Sequence, residues 1–357
     1  MMENAETNRL AHQVARLGVL DIYLLEHPPP RWGMTANSYI LVQGPRWAVI
    51  DTGWPGSSGA RLWDNSAKQL GLQWSELQSV WITHAHPDHI GQARHLFERS
   101  GCPPSIHPNA LAEFRFAQSR ASNDKDGIFA DLLTRSGLTF SDGTRVPNLF
   151  TSYNQITVPP DFLPLRETKT LAFGSETFQP ILCTGHCKGH ICIWHSSTRT
   201  LFVGDMVLSN GFSPIVAMPG TSENPMEEYL AALAQLRTLK AGLFLGGHGK
   251  PLFQPNIRLD ESLNFHHSQI NRIAGILSET SLSAAAVATI LQHRDIPFST
   301  LSRFGKVQVL AEIVAYLHYL VTQDIIVTNQ SNPPGVVQYC PYSRDGLSNK
   351  PFTECDE

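Results

Sequence analysis

A layered α/β fold is the architecture that this 357-residue sequence predicts. Three observations carry that expectation. Short runs of Val, Ile, Leu and aromatic residues recur between residues 17 and 245. Several of these runs lead through a loop into a stretch of helical periodicity, the pattern of stacked sheet and helix layers. A chain with 42% hydrophobic and 16% charged residues can also bury a large core, and its length suggests about two domains.

Residues 17–25, 38–43 and 46–51 are strand candidates, and Gly44-Pro45 marks a hairpin turn between the last two. Residues 56–70 carry helical spacing at Leu62, Trp63, Ala67 and Leu70 and stop at Gly71. A buried strand is expected at 79–83. A helix follows over 88–99, with Ile90, Ala93, Leu96 and Phe97 on one face. The pattern changes over 109–165. Two helices are predicted there, at 110–119 and 128–136, among scattered phenylalanines (114, 116, 129, 140, 150, 162). Strands return at 169–173, 177–183, 190–195 and 200–204, before an amphipathic helix at 225–240 and a strand at 242–245. Helical periodicity at 257–280, 283–292 and 305–321 then precedes two β-rich pieces, 325–329 and 336–340, joined by QSNPPG. Three helices and a hairpin suggest a winged-helix-like module. The expected organisation is therefore a domain over 1–255 with an insertion at 109–165, a module over 256–345, and a loose tail over 346–357.

Charge narrows the function classes. Lys+Arg is 27 against Asp+Glu 31, a net of −4, which excludes a strongly basic nucleic-acid binder. Within 266–330, Arg272, Arg294, Arg303 and Lys306 are balanced by Glu279, Asp295, Glu312 and Asp324. A winged helix that neutralised several phosphates would need a basic face, so packing or homodimerisation is the better reading of this module. The start of the chain has no basic n-region followed by an apolar stretch, and no apolar run reaches the ~18 residues of a membrane span. Six scattered cysteines (102, 183, 187, 192, 340, 355) read as reduced thiols. The resulting expectation is a cytoplasmic protein with a small-molecule partner and no membrane.

Fifteen histidines stand out. In Thr83-His84-Ala85-His86-Pro87-Asp88-His89, a predicted strand runs into a predicted helix. Two imidazoles two residues apart in an extended loop can point at one ion. Asp88 and His89, opening the helix, can face a second. Imidazole and carboxylate donors suit a borderline divalent ion such as zinc. The blander reading, Asp88 as a helix cap in a His-rich loop, suits a lone H-x-H better than this longer constellation.

That segment resembles the signature of the metallo-β-lactamase superfamily, and the superfamily's other motifs follow in order. Asp51-Thr52-Gly53 ends a strand, Thr184-Gly185-His186 resembles the third motif, Phe202-Val203-Gly204-Asp205 the fourth and Gly247-His248-Gly249 the fifth. The resemblance spans about residues 17–255 and implies an αββα four-layer sandwich. It also implies a pair of divalent ions, zinc first and iron or manganese as alternatives. His84, His86 and His186 would hold one ion and Asp88, His89 and His248 the other, with Asp205 between them. A metal-bridging hydroxide would attack the substrate, and Asp88 would both bind and manage a proton. Asp51 is expected behind a ligand histidine, and His190 is expected to fix a loop by hydrogen bonding. His107, the pair His266-His267 and the cysteines near residue 186 read as structural; an exposed helical pair is expected at 266–267.

The resemblance does not choose a substrate. An ester, thioester or lactone hydrolase of the glyoxalase II-like or lactonase-like kind fits the aromatic insertion, which would act as a mobile cap with Phe114 and Phe129 in its wall. A phosphodiesterase or endoribonuclease of the β-lactamase-like group shares the layout of core plus helical tail. A non-catalytic binding protein is the third class, and the intact ligand set argues against it. Basic residues at Arg115, Arg120, Lys125 and Lys188 leave room for a modest anionic patch.

Overall fold

The computed structural model describes residues 10–29, 33–122, 127–140, 146–292, 296–330 and 335–342. Lys125, Arg294, Asp295, Cys355, the 346–357 tail and part of the QSNPPG turn therefore lie outside the described residues. Two sheets stack face to face. The first runs in strand order β1 (His12–Leu17), β2 (Leu20–His27), β3 (Ala36–Gln43), β4 (Arg46–Ile50), β5 (Leu77–Ile82), β6 (Ser105–Ile106) and β7 (Leu163–Pro164). Its first four strands are antiparallel and the rest parallel. The second is β12 (Leu243–Gly246), β11 (Thr200–Gly204), β10 (Ile191–His195), β9 (Glu176–Leu182) and β8 (Leu171–Phe173), with β11 and β12 parallel.

Alternation of side chains across each strand decides what lies between the layers. Leu20, Ile22, Leu24, Leu41, Ala48 and Ile50 of the first sheet meet Phe178, Ile191, Ile193, Phe202 and Leu245 of the second in one apolar cluster. The opposite face of the first sheet (Ile40, Val49, Val80, Ile82) packs on Trp63 of α1 (Ser57–Gln69) and Leu96 of α3 (Ala93–Ser100). Leu201, Val203 and Phe244, outward on the second sheet, share a core with Tyr229, Leu233 and Leu236 of α6 (Pro225–Thr238). The result is helix, sheet, sheet, helix.

Several expected elements differ in detail. The run at 17–25 is two strands, because Gly18 takes a positive φ and turns the chain between β1 and β2. The helix expected at 88–99 is α2 (Pro87–Ile90) and then α3, interrupted at Gly91-Gln92. Gly91 there lies so close to Pro55 N and Gly53 O that no side chain fits. In the insertion, α4 (Pro108–Ala121) and α5 (Ile128–Arg135) form as expected, but Phe114 and Phe129 are fully buried in the core and do not line the pocket beside His86 and His186. The insertion is therefore tied into the body of the protein by its own aromatics.

The C-terminal part contains α7 (Pro255–Ile276), α8 (Ala284–Leu291), α9 (Arg303–Thr322) and a three-stranded sheet of β13 (Leu282–Ser283), β15 (Val337–Pro341) and β14 (Ile326–Gln330). α9 is long and apolar enough by composition to cross a bilayer, yet Leu310, Ile313, Tyr316, Leu317 and Leu320 sit in the core. His266 is buried and its Nδ1 lies 2.8 Å from the Tyr316 hydroxyl, which joins α7 to α9 and corrects the expected exposed pair; only His267 is exposed. The described cysteines are all free thiols.

One side chain joins the two sheets beside their strand ends. Asn37 of β3 donates from Nδ2 to the carbonyls of Gly246 (3.0 Å) and Gly249 (2.8 Å), while its backbone N–H reaches Gly247 O at 2.8 Å. Tyr39 OH also donates to Gly246 O, at 2.7 Å. Asn37→Ala leaves the Gly249 carbonyl without this donor and frees the 247–249 loop, at a cost of about 1–3 kcal/mol. The expected outcome is a cooperative urea transition at a lower midpoint; an unchanged midpoint would show that the loop is held without Asn37.

Candidate metal centre

Every signature residue sits at the C-terminal end of a strand, all on one edge of the stacked sheets. Asp51 follows β4, His84 to His89 follow β5, His186 follows β9, Asp205 follows β11 and His248 follows β12. Two groups of donor atoms result, His84, His86, His186 and Asp205 in one and Asp88, His89 and His248 in the other, each drawn together within 4.8 Å. His86 Nδ1 lies 3.0 Å from both His84 Nε2 and His186 Nε2. Asp205 spans the groups. Its Oδ2 is 3.8 Å from His84 Nε2, 3.7 Å from His186 Nε2 and 3.2 Å from His248 Nε2, and its Oδ1 is 3.5 Å from His89 Nε2. Asp88 completes the second group, 3.4 Å from His248 Nε2 and 3.9 Å from His89 Nε2.

The outward nitrogens explain why the inward ones are free. His89 Nδ1 donates to Asp51 Oδ2 at 2.8 Å, and His248 Nδ1 donates to Thr35 O at 2.8 Å. His186 Nδ1 faces Pro214 O at 3.1 Å and Ser213 Oγ at 3.0 Å. Thr83 Oγ1 donates to Asp51 Oδ2 (2.8 Å), so His84 Nδ1, 3.0 Å away, donates to Thr83 Oγ1. Fixing the proton on Nδ1 turns the Nε2 lone pair of each ring inward, the arrangement a metal requires. Asp51 holds an unusual positive φ of 59° while its Oδ1 accepts from Thr83 N at 2.7 Å, so local backbone strain is retained where the side chain must face two partners. His190 lies behind the cluster. Its Nε2 accepts from Asp205 N at 3.0 Å, and its ring stacks on His84 at 4.9 Å.

Two glycines are required by this crowding. Gly204 has φ 51° and faces the His190 ring, and any Cβ on Gly247 would run into the Asp205 carboxylate. Buried His89 Nε2 and Asp205 Oδ1 make no hydrogen bond among the described residues, so polar atoms face one another in the interior without being satisfied. Such orphaned donors, with an all-imidazole and carboxylate set, fit divalent ions held in two adjoining positions.

Charge follows the same division. Burial and neighbouring rings hold His84 and His86 well below the ordinary imidazole range, and burial lowers His186 as well, so all three are neutral. Burial opposes charge at His248 too, but Asp205 and Asp88 outweigh it and raise the ring to about 9. His89 is raised well above its usual value by Asp205, Asp51 and Asp88 against the same desolvation. Burial alone would push Asp205 up; His248 and His89 overcome it and keep the carboxylate well below its ordinary range.

The remaining candidates stand apart from these groups. His107 caps α4 by accepting from Asn109 N at 3.2 Å. Cys187 is buried, and burial with Glu113 nearby keeps its thiol protonated. Trp54 is buried with Nε1 donating to Met34 O at 3.1 Å. Beside the imidazoles lies a pocket that includes His86, His186, Phe116, Phe150, Glu113 and Tyr153. Sequence reasoning missed Glu113 and Tyr153, since a single Glu and a single Tyr in an insertion have no spacing signature.

The metallo-beta-lactamase superfamily pattern matches residues 31–248, and the chain belongs to that superfamily of divalent-metal hydrolases. Among its relatives, "Probable metallo-hydrolase YqjP" of Bacillus subtilis is 23% identical over 252 residues, covering 69% of this chain and 77% of that one. An "Atrochrysone carboxyl ACP thioesterase" of Aspergillus fumigatus is 22% identical over 214 residues, covering 60% of this chain and 50% of that one. In fold, the chain is similar to a beta-lactamase domain protein from Burkholderia ambifaria, with TM-score 0.79, 24% identity and coverage of 93% and 94%. A metallo-beta-lactamase family protein from Thermus thermophilus gives TM-score 0.74 at 22% identity, with coverage of 90% and 98%. Both cover nearly the whole chain, so the C-terminal helical part belongs to the shared architecture.

The raised pKa of His248 sets a pH dependence for chelated protein. Its folded value of about 9 exceeds the ordinary 6.5, so the Asp205–His248 attraction stabilises the fold fully below pH 6.5 and is lost as pH rises through about 9. Metal ligation removes the same proton. Melting temperature should therefore fall from pH 6.5 to 9.5 in chelated protein and much less in metal-loaded protein. Parallel curves for the two would show that the pair carries no such charge.

Proposed function

We propose that this chain is a dinuclear metal-dependent hydrolase of a carboxylic ester, thioester or lactone in a small molecule. The observation that carries this reading is the wall of the pocket next to His86 and His186. Phe116, Phe150 and Tyr153 meet Val216 and Met218 there, and no lysine or arginine among the described residues lines it. A polyanion would need cations at that place, whereas an acyl group needs apolar surface. Arg120 of α4 stands over the Phe116 ring at 5.6 Å without lining the pocket. The thioesterase named among the relatives is consistent with such a substrate.

In this reading His84, His86 and His186 hold one ion, Asp88, His89 and His248 the other, and Asp205 lies between. When bound, the ions supply an activated water and polarise the scissile carbonyl. Zinc is the first choice for this donor set, with iron or manganese also compatible. The protein's own groups do the rest. Neutral His84, His86 and His186 are ready to ligate without losing a proton. Asp51 and Thr83 keep two rings in the required tautomer. Asp88, partly exposed at the mouth of helix α2, is placed to orient the attacking water and take its proton. The Phe and Met walls exclude bulk water from the acyl group.

Metal analysis tests the ligand set: purified protein should carry close to two ions per chain, and His84→Ala or Asp205→Ala should lose most of that content. Full loading in either variant would remove the assignment. For the chemistry, Asp88→Asn should keep a cooperative melt near wild type while turnover falls by roughly 10²-fold or more. A panel of thioester, ester, lactone, phosphodiester and RNA substrates, with His86→Ala as control, then decides the class. RNA cleavage that vanishes in His86→Ala and exceeds every acyl turnover would replace this reading.

A further inference from the structure

The pocket beside His86 and His186 is walled mainly by apolar residues, with Thr221 on one side and a carboxyl and a phenol on another. Glu113, from α4, and Tyr153, from the short helical turn Thr151–Gln155, both line it. Glu113 Oε2 accepts from Lys188 N at 2.9 Å, in the loop that follows His186. No other hydrogen bond or ion pair reaches Glu113 among the described residues, which leaves Oε1 open. Tyr153 is buried, its ring packs against Phe114 (5.9 Å) and Phe150 (6.1 Å), and its hydroxyl has no hydrogen-bond partner among the described residues. A carboxyl oxygen and a phenol hydroxyl thus stand unused in an aromatic pocket that borders His86 and His186. Both groups line the pocket with polar atoms that no other described residue engages, so a substrate seated there meets one acceptor and one donor.

We propose that Glu113 and Tyr153 are the specificity-determining pair of this pocket and select acyl groups that carry a hydroxyl. A substrate hydroxyl donates to Glu113 Oε1 and accepts from the Tyr153 O–H, so each group receives the complement it lacks. The aromatic walls hold the carbon skeleton. Burial pushes the Glu113 carboxyl up to about 7 against the Lys188 N–H and the Lys188 charge, and burial together with Glu113, Cys187 and Asp88 holds the Tyr153 proton firmly in place as a donor. This selection rests on the acyl-hydrolase reading for its substrates, while its recognition step can be read without turnover.

The test uses metal-loaded full-length protein and N-acetylcysteamine thioesters of 3-phenylpropanoic acid and its 2-, 3- and 4-hydroxyphenyl counterparts. The corresponding free acids are titrated by calorimetry alongside. Wild type should favour at least one hydroxylated member by roughly 10- to 100-fold in kcat/KM, mainly through KM, as expected for a hydrogen bond to a charged group. The free acids should follow the same order. Glu113→Gln keeps an oxygen for Lys188 N but presents an amide N–H₂ to the pocket. It should bring the ratio toward one with metal content unchanged, and Tyr153→Phe should weaken the ratio in the same direction. A ratio that survives in the Glu113→Gln, Tyr153→Phe double variant overturns the proposal, as does wild type showing no selectivity by rate or calorimetry. Equal losses on all substrates together with loss of metal would make Glu113 an anchor for the 186–189 loop and overturn it too. Calorimetric selectivity without any thioester turnover would instead sink the acyl-hydrolase reading and leave the pair's role standing.

Discussion

Asp205 is a carboxylate placed where burial alone would neutralise it, and the surrounding architecture follows from keeping it ionised. Four imidazole nitrogens lie 3.2 to 3.8 Å from its two oxygens. Those nitrogens come from the ends of β5, β9 and β12, strands of both sheets. The inter-sheet core must therefore fix the relative height of the two sheets to within a fraction of an ångström. The apolar cluster around Ile22, Leu41, Phe178 and Phe202 provides that, because close-packed interiors resist sliding. The glycines at 204 and 247 complete the constraint by letting backbone pass where a Cβ would displace the His190 ring or the Asp205 carboxylate.

Around that centre the outward-facing groups set the protonation state and the inward-facing groups remain available. Asp51, Thr83, Thr35 and Pro214 each take an Nδ1 proton, and their carbonyl, hydroxyl or carboxylate oxygens come from segments far apart in sequence. The insertion and the C-terminal helices serve the pocket in the same indirect way. Ala217 N donates to Ala311 O of α9 at 2.9 Å, which fixes the loop that carries Val216 and Met218. Ala285 N of α8 donates to Ser136 O at 2.8 Å, just past α5. The balanced charge of the C-terminal part agrees with this intramolecular packing role.

The His/Asp edge was legible because its residues are concentrated in short words. H-x-H-x-D-H places four donors within six residues, and strand-ending DTG, TGH, VGD and GHG place the rest where strand geometry must turn the chain. Period-two and period-3.6 patterns located most strands and helices, since each has one buried face. Where the reading failed, the missing information was tertiary. Only a glycine fits at 91, because a side chain there would run into Gly53 and Pro55. His266 is polar yet buried, because the Tyr316 hydroxyl, 50 residues away, satisfies it. Phe114 and Phe129 differ from Phe116 and Phe150 in nothing but the direction in which each faces.

By itself, then, the sequence determined the superfamily, the layer pattern and the identities of the seven inward donors, because all three depend on local order and residue type. Which phenylalanines form the wall, how Asn37 ties β3 to the His248 loop, and that Glu113 and Tyr153 share the pocket were decided by the tertiary structure alone. Those facts depend on which side chains meet across segments separated by tens to hundreds of residues. A one-dimensional pattern records that a side chain is apolar or ionisable, and packing alone determines what it faces.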